Sequence, residues 1–452
     1  MKVEYIKLQG YNLLDIIECS IHQEINEHSV ACIRGHISDK DEDTYIRKGL
    51  VEEYATIIAV DEKGNEFKIF NGLIYNFSID NLKGSKLLTL ELRSSSYAMD
   101  LTEKIRSFQN VTVTYDSVIS TIMTAYNLGS GEVTQNALMP INKYLVQYNE
   151  TDWAFVKRIA SLLNTYVFVD AISDGTHISI GIPLSYSEQK ISHLEYKINI
   201  EKENCYYTIK SRDFVNLGDK VYFSGSSFVV TKIDSNMEGA ELYYTYELKP
   251  SLALRKEKYE NEKIVGVSLE AIVSNVEEDK VQVEIAQDTL IGQQIWFPYA
   301  TIYSSPDGTG WYCMPENEDR VRVYFPNSNE AEAYVMSSVH IGDAQSTGAR
   351  SNPNEKSIKS KHGKEILFKE NELLITNGSK EQEMSIRIVD EEGIYITSAH
   401  KIEFKAEEGV QIVSTNANIQ LIAKEQIMLK QNESYINIQD DITIDGGRVK
   451  TV

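Results

Sequence analysis

The residue types in this chain that could do chemistry do not match the spacing of a catalytic or metal-binding motif. Its eight histidines include no HExxH or HxxxH pair, the arrangement that presents two imidazoles on one helix face to zinc. Gly225-Ser226-Ser227 lacks the second glycine of a GxSxG nucleophile turn, and its surroundings predict a hairpin. Acid pairs such as Asp440-Asp441 are expected by chance among 67 carboxylates. We therefore expect no catalytic residue, no metal and no cofactor.

Length and charge narrow the function classes further. A chain of 452 residues is long enough for several domains. The formal net charge of −22 argues against a nucleic-acid partner, because neutralising phosphates requires a basic surface. The first residues carry no long apolar run, and no window approaches the about 18 apolar residues of a membrane helix. We expect synthesis in the cytoplasm without a signal peptide, and export only by other machinery.

The cysteines indicate a reducing compartment. Cys19, Cys32, Cys205 and Cys313 form no CxxC pair and lie far apart in the sequence. Their separation predicts free thiols, with a Cys19–Cys32 bridge left open as an alternative.

The elements that would position any site are mostly strands. Alternation of polar and apolar residues at 66–70 and 88–92 predicts short antiparallel strands in the first 95 residues. Two helices interrupt this pattern, the first capped by Asp116 or Ser117 and the second capped by Thr151. Lys40 to Asp43 is interpreted as a solvated loop, and charged residues 255–263 and polar residues 342–353 are interpreted as linkers.

The tail carries the most regular pattern in the chain. Pairs of apolar residues separated by one position recur every eight or nine residues, which predicts a stacked or wound β architecture. The pairs are Ile386 with Ile388, Ile394 with Ile396, Ile402 with Phe404, Val410 with Ile412, Ile419 with Leu421, Ile427 with Leu429, and Ile436 with Ile438.

These fourteen residues form an apolar stripe. A single copy of the tail could not bury this stripe away from water. Each repeat offers about two inward side chains, which contribute roughly 3 to 6 kcal/mol when buried. Ordering eight residues costs about 8 to 16 kcal/mol, and backbone ladders offset only part of it. Three chains wound around a common axis would bury each stripe against the other two. We therefore predict a homotrimeric prism whose interface consists of these apolar pairs, with a single-chain solenoid as the alternative.

Five segments of the chain carry distinctive short motifs, at residues 105–112, 150–158, 310–325, 333–339 and 360–366. The first resembles "RSRxFQN-x-T", the second an "ES-D-W-x-F-x-x-R" helix, and the third "G-W-x-x-x-P-E-x-G-D-x-V-x-V-x-F". The fourth resembles the strand "P-Y-V-x-G-S-V", and the fifth resembles "S-x-x-G-x-x-I", the start of a needle. In this order, the five resemble motifs of the VgrG family of spike proteins and of the hub and needle proteins of contractile phage tails. One departure is Glu318, which stands where the third motif has glycine.

The resemblance implies a mainly β fold with β-barrel hub domains, a small α/β insertion, an OB-fold collar and an intertwined trimeric β-prism or β-helix needle. The corresponding domains are 1–95 (first hub barrel), 96–190 (insertion), 191–255 (second hub barrel), 264–342 (OB fold) and 358–452 (needle). Its implied partners are two further copies of the chain, a hexameric inner tube protein, baseplate proteins, a PAAR-type tip protein and effectors.

The function that this resemblance implies is structural. The chain would form the central spike of a contractile injection machine, docking on the inner tube and baseplate and piercing the target envelope. It would be assembled into a contractile particle and ejected, and it would not be an enzyme. The alternative is a receptor-binding fibre or adhesin, for which the tyrosines could provide a carbohydrate-binding surface.

Overall fold

The computed structural model confirms a mainly β chain and separates it into two compact units, Met1–Ile341 and Gly342–Val452. Among the described residues, no helix has both the length and the apolar character needed to cross a membrane. The structure describes residues 2–51, 53–184, 188–201, 204–340, 352–439, 442–445 and 448.

Strands dominate the first 250 residues. In chain order they are β1 Val3–Leu8, β2 Asp15–Glu24, β3 Val30–Ile37, β4 Tyr54–Asp61, β5 Glu66–Leu82, β6 Ser85–Arg93, β7 Glu103–Phe108, β8 Ser130–Val133, β9 Leu145–Thr151, β10 Val167–Asp170, β11 His177–Ile180, β12 Gln189–Lys190, β13 Glu195–Glu201, β14 Asn204–Ser211, β15 Lys220–Phe223, β16 Ser226–Glu238 and β17 Glu241–Lys249.

Twelve of these strands form one nearly closed, barrel-like sheet. Its order is β1-β4-β5-β6-β3-β2-β16-β17-β14-β13, with β15 joined to β16 and β12 joined to β15. A bridge between Lys2 and Asp213 brings β1 to the segment that follows β14. The strands of ranges 1–95 and 191–255 are continuous in this sheet, because β2 pairs with β16 from Glu24 opposite Lys232 to Ile21 opposite Ser235. The division into two barrels stays a prediction.

The segment between these strands holds two of the three described α-helices, α2 Tyr115–Met123 and α3 Asp152–Leu162. Both pack into a core with the sheet β10-β11-β8, because their apolar positions recur at helical spacing. The Thr151 cap is confirmed, since its hydroxyl accepts a hydrogen bond from the Ala154 amide at 3.1 Å. The predicted cap of α2 was wrong: Thr114 accepts from the Ser117 amide at 3.1 Å.

Helix α1, Glu42–Gly49, was not predicted. The interpretation of Lys40–Asp43 as a loop is wrong at Glu42, where the helix begins. Glu42 and Asp43 lie in its first turn and Arg47 and Lys48 in its last, the arrangement that the helix dipole favours. Its short length and single buried residue, Tyr45, leave almost no apolar periodicity to read.

A second β layer follows in residues 264–336. Its strands are β18 Ser268–Glu277, β19 Lys280–Ile285, β20 Phe297–Pro298, β21 Arg320–Tyr324 and β22 Tyr334–Met336, in the order β20-β19-β18-β21-β22. A bridge between Tyr299 and Val335 joins the two ends of this order, so the five strands curl around their own core. This range therefore holds one five-stranded sheet, and its assignment as an OB fold stays a prediction.

The charged segment 255–263 is an ordered connection. Asn261 donates to the Tyr148 carbonyl at 2.7 Å, and Lys263 pairs with Glu103 at 2.7 Å. The Tyr259 amide donates to the Ser161 hydroxyl at 3.4 Å. These contacts hold the segment against α3 and β9. The second predicted linker, 342–353, lies outside the described residues except for its last two.

The described part of the tail unit contains short antiparallel strands at both ends. They are β23 Lys356–Lys359, β24 Glu365–Phe368, β25 Glu372–Thr376, β26 Met384–Val389, β27 Gly393–Ser398, β28 Ile427–Gln431, β29 Ser434–Ile438 and β30 Ile442–Asp445. Strands β23 to β27 form one meander and β28 to β30 another. The described residues 399–426 between them contain no strand.

All four cysteines are free thiols. The strand register places Cys19 opposite Ile33 and Cys32 opposite Ser20, so the alternative of a Cys19–Cys32 bridge is wrong. Burial raises the pKa of Cys19 to about 12, which leaves it protonated and unreactive.

Glu318, the departure from the glycine of the third motif, has the backbone conformation that glycine favours. Its φ is 75°, and its amide donates to the Val273 carbonyl at 2.8 Å. A side chain in this left-handed region costs roughly 1 kcal/mol through contact of Cβ with the backbone. The turn of the motif is therefore preserved at a cost in strain.

Replacing this residue should stabilise the protein. We expect Glu318→Gly to raise the free energy of unfolding by about 0.5 to 1 kcal/mol, because the strain is removed and the turn is kept. Asn317→Gly is the matched control, since Asn317 is outside the left-handed region and should lose stability. Thermal unfolding of both variants checks this, and a less stable Glu318→Gly would contradict it.

Candidate functional site

Two features collect the residues that the sequence singles out: a wall between two cores and the apolar stripe in the tail. The wall is the antiparallel pair β7–β9, which holds the first motif and the start of the second. Side chains on a strand alternate between its faces. Phe108 and Leu145 enter the core of α2 and α3, whereas Tyr144 and Val146 enter the core of strands β18 to β22. One pair of strands therefore contributes side chains to two hydrophobic cores.

The first motif also bonds directly to the second layer. The Ser107 amide donates to the Gln287 carbonyl at 2.9 Å, and the Thr289 amide donates to the Ser107 carbonyl at 2.8 Å. Gln109 donates to the Val283 carbonyl at 2.9 Å and to the Asp288 carboxylate. Backbone and side-chain hydrogen bonds therefore join β7 and the residue after it to the layer of residues 264–336.

Asp152 organises the face of the wall that packs against α2 and α3. Its carboxylate is fully buried and accepts hydrogen bonds from four side chains. Lys104 and Tyr126 each donate at 2.6 Å, Gln147 donates at 2.9 Å, and Arg106 donates to both oxygens. These bonds tie β7, β9 and the segment after α2 to the first turn of α3.

Hydrogen bonding sets the protonation of this cluster. Burial opposes ionisation of Asp152, but the four donors outweigh it and hold its pKa below the ordinary 3.8. Burial and the bond to Asp152 raise the pKa of Tyr126, so its hydroxyl keeps its proton and donates. Asp152 and its four donors therefore form a structural cluster around an ionised carboxylate whose acceptor capacity is already taken.

The apolar stripe lies in the tail. Of its fourteen residues, Ile427 is partly buried in the single chain and the others are exposed, up to 72% at Phe404. Exposure of this many large aliphatic side chains in one region is unusual for a soluble monomer. The structure leaves their assignment to a trimer interface untested.

Strand register aligns part of the stripe into rows. Ile358, Ile366, Ile375, Ile386 and Ile396 lie opposite one another across strands β23 to β27. A groove of about 620 Å³ runs along this row. A second row joins Phe368, Leu373, Ile388 and Ile394. The meander therefore presents one continuous apolar face, and the sequence pattern identifies only its last two strands.

The last two pairs of the stripe belong to the second meander. Ile427 lies opposite Ile438, and Leu429 lies opposite Ile436, on strands β28 and β29. These four residues are therefore aligned across neighbouring strands, as the rows of the first meander are.

The three central pairs of the stripe have a different setting, the strandless segment 399–426. The sequence pattern predicted β structure there, whereas the single chain forms none, because a strand needs a neighbouring strand for its backbone hydrogen bonds. All six side chains are exposed, Ile412 by 68% and Leu421 by 63%. They are Ile402, Phe404, Val410, Ile412, Ile419 and Leu421. Within the described part of the tail, none of them is buried against a partner element.

The two serines after Gly225 lie in a hairpin, and two tryptophans of the motif segments differ in burial. Ser226 and Ser227 pair with Phe223 and Tyr222 in a β15–β16 hairpin, as predicted. Trp153 is a core residue whose ring lies 4.3 Å from that of His28, whereas Trp311 is 56% exposed.

One cluster, of a histidine and two glutamates, has the composition of a metal site. Ligand atoms of His22, Glu24 and Glu27 lie within 4.8 Å of one another. Asp234 contacts His22 Nδ1 at 2.6 Å, and the Lys232 ammonium lies 3.3 Å from Glu24. Lys232 already supplies a positive charge to this partly exposed group, so we assign no metal to it.

The Asp152 cluster leads to a prediction about stability and its pH dependence. Asp152→Asn should lower the free energy of unfolding by about 3 kcal/mol at pH 7, because Arg106 and Lys104 lose a buried counter-charge. The pKa of Asp152 is depressed on folding, so its contribution is present above about pH 4 and lost as pH falls through the folded value. The deficit should therefore shrink below about pH 4.

Urea unfolding followed by tryptophan fluorescence, at neutral pH and at about pH 3.5, measures both effects. Asp80→Asn is the control, since Asp80 is exposed on β5. Equal losses for the two variants at neutral pH would contradict a special role for Asp152.

Comparison with known proteins finds a family model that matches part of the chain. Residues 35–189 match the family model described as the phage tail baseplate hub (GPD). No curated protein sequence matches the chain significantly.

Two solved structures illustrate the likeness. An E. coli component of the type VI secretion system, described as structurally similar to the T4 bacteriophage tail proteins gp27 and gp5, aligns with a TM-score of 0.52 at 10% identity, over 75% of this chain and 100% of that one. A chain of the half-lidded Francisella PdpA–VgrG complex aligns with a TM-score of 0.54 at 10% identity, over 87% of each chain. The chain thus has a VgrG-like fold, within which residues 35–189 match the phage tail baseplate hub family.

Proposed function

We propose that three copies of this chain associate through the apolar stripe and form the central spike of a contractile injection machine. The observation that carries the proposal is the apolar face of the tail, which is unburied in one chain although its strands are regularly paired. The hub-family match and the VgrG-like fold support a role in a tail or secretion assembly.

Association follows from the balance of burial and order. The described tail pairs its backbone within the two meanders, yet rows such as Ile386 and Ile396 face solvent. Each such side chain would contribute about 1.5 to 3 kcal/mol if removed from water. Repetition of the same face in two further copies supplies a complementary surface, and three stripes around one axis leave none of them exposed. The strandless pairs of 399–426, including Ile412 and Leu421, would gain their strand partners in the same step.

The division of labour follows the proposed domains. Ranges 1–95 and 191–255 would form the hub ring that docks on a hexameric inner tube protein and baseplate proteins, with 96–190 as its insertion. Range 264–342 would form the OB-type collar, and 358–452 the needle that pierces the target envelope. A PAAR-type tip protein and effectors are proposed partners of the needle. The role is mechanical rather than enzymatic, since the buried charged residues described above bond to one another.

The first test is the mass of the purified chain. Mass photometry or sedimentation should give about three times the 51.3 kDa of one chain. A particle with the mass of a single chain at micromolar concentration would contradict the proposed trimeric spike.

The second test places a charge in the stripe. Ile402→Asp would bury three unpaired carboxylates in one layer of the trimer, and we expect a loss of about 5 kcal/mol or more per trimer. Ile427→Asp should act in the same way in the second meander. Lys405→Asp is the matched control, because residue 405 alternates with the stripe positions 402 and 404.

Thermal unfolding and native mass are the measurements for these variants. Unchanged trimer mass and melting temperature in Ile402→Asp would show that residue 402 does not face the axis.

A further inference from the structure

A second buried ion cluster joins the insertion to the layer of residues 264–336. Glu330 begins a short 3-10 turn, Glu330–Glu332, in that layer. Its side chain is only 1% exposed, although Ala331 and Glu332 beside it are exposed. A Glu330 oxygen accepts a hydrogen bond from Arg158 of helix α3 at 2.7 Å. The bond crosses from one domain core to the other.

Arg158 is the centre of this cluster. It is 1% exposed and donates to both oxygens of Glu150, at 3.0 and 2.9 Å. It also donates to the Val146 carbonyl at 2.6 Å. One guanidinium therefore fixes α3 to both ends of β9 and to the turn at Glu330. Its planar fork fits this set of partners in one orientation only.

The charges of the cluster balance only when it is assembled. Burial opposes the charge on Arg158, but Glu330 and Glu150 outweigh it and raise its pKa. Lys143 lies 3.8 Å from the other Glu330 oxygen and supplies the second positive charge. Removing any one member would leave a buried charge without its partner, which is strongly destabilising.

We propose that Glu330, Arg158 and Glu150 form a latch that fixes the orientation of the 264–336 layer on the insertion. The shared core around Tyr144 and Val146 is not directional, and the hydrogen bonds of Ser107 and Gln109 orient only strand β7 and the residue after it on the layer. The ion cluster adds a second oriented contact, through helix α3, and the two contacts together make the two parts one rigid body. If the chain is the spike proposed above, force on the needle would pass through this latch into the hub; the latch itself does not depend on that role.

Amide hydrogen exchange across the junction tests the latch. The amides of Ser107 and Thr289 bond across it and report its opening. Glu330→Gln should speed exchange at both positions by about a hundredfold, because a buried charge pair is broken. Exchange at Val118 and Val323, within the two cores, should stay unchanged. Glu332→Gln is the matched control on the same turn, and its junction amides should exchange as in the unaltered protein.

A second variant covers the case in which Glu330→Gln does not fold. Glu150→Gln, Arg158→Met and Glu330→Gln together remove the cluster's central charges and leave the packing volume, so both cores should form. Faster exchange at Ser107 and Thr289 in this variant supports the latch. Exchange equal to that of Glu332→Gln overturns it. Because the readout is local, a latch can be confirmed in a chain that proves monomeric, and refuted in a chain that proves trimeric.

Discussion

The architecture of the first unit depends on the two-residue period of one strand pair. Because successive side chains of β7 and β9 point to opposite faces, a single wall fills two cores at once. Shifting either strand by one residue would exchange every member of the two sets. The buried carboxylate Asp152, with its four donors on one face, and the bonds of Ser107 on the other both oppose such a shift. The motif residues that resemble those of a spike family therefore hold the two strands in register.

The tail obeys a different constraint. In the first unit, aliphatic side chains such as Ile57 and Val323 are completely removed from water. In the tail, the strands pair their backbones, but a ribbon one layer thick offers no second layer to cover its face. Exposed apolar side chains occur in the first unit too, but in the tail they form aligned rows across successive strands. Those rows are the physical basis of the proposal that the tail belongs to an assembly.

Several features could be read from the sequence because they are local. The Thr151 cap, the α3 helix and the β15–β16 hairpin follow from side-chain hydrogen bonding, apolar spacing and turn chemistry within a few residues. Helix α1 was missed because eight residues with one buried side chain carry almost no periodicity. The α2 cap was placed too late because Thr114, Asp116 and Ser117 all have capping side chains. Glu330 gave no signal, since nothing in its neighbourhood distinguishes it from the exposed Glu332.

The sequence by itself determined the β class, the repeating apolar pairs of the tail and the likeness to spike proteins, since these depend on periodicity and on short motifs. Only the tertiary structure decided that ranges 1–95 and 191–255 share one sheet through β2 and β16. It also decided that Arg158 reaches a carboxylate 172 positions away. Burial and charge pairing between distant segments depend on which surfaces meet, and no local pattern encodes that.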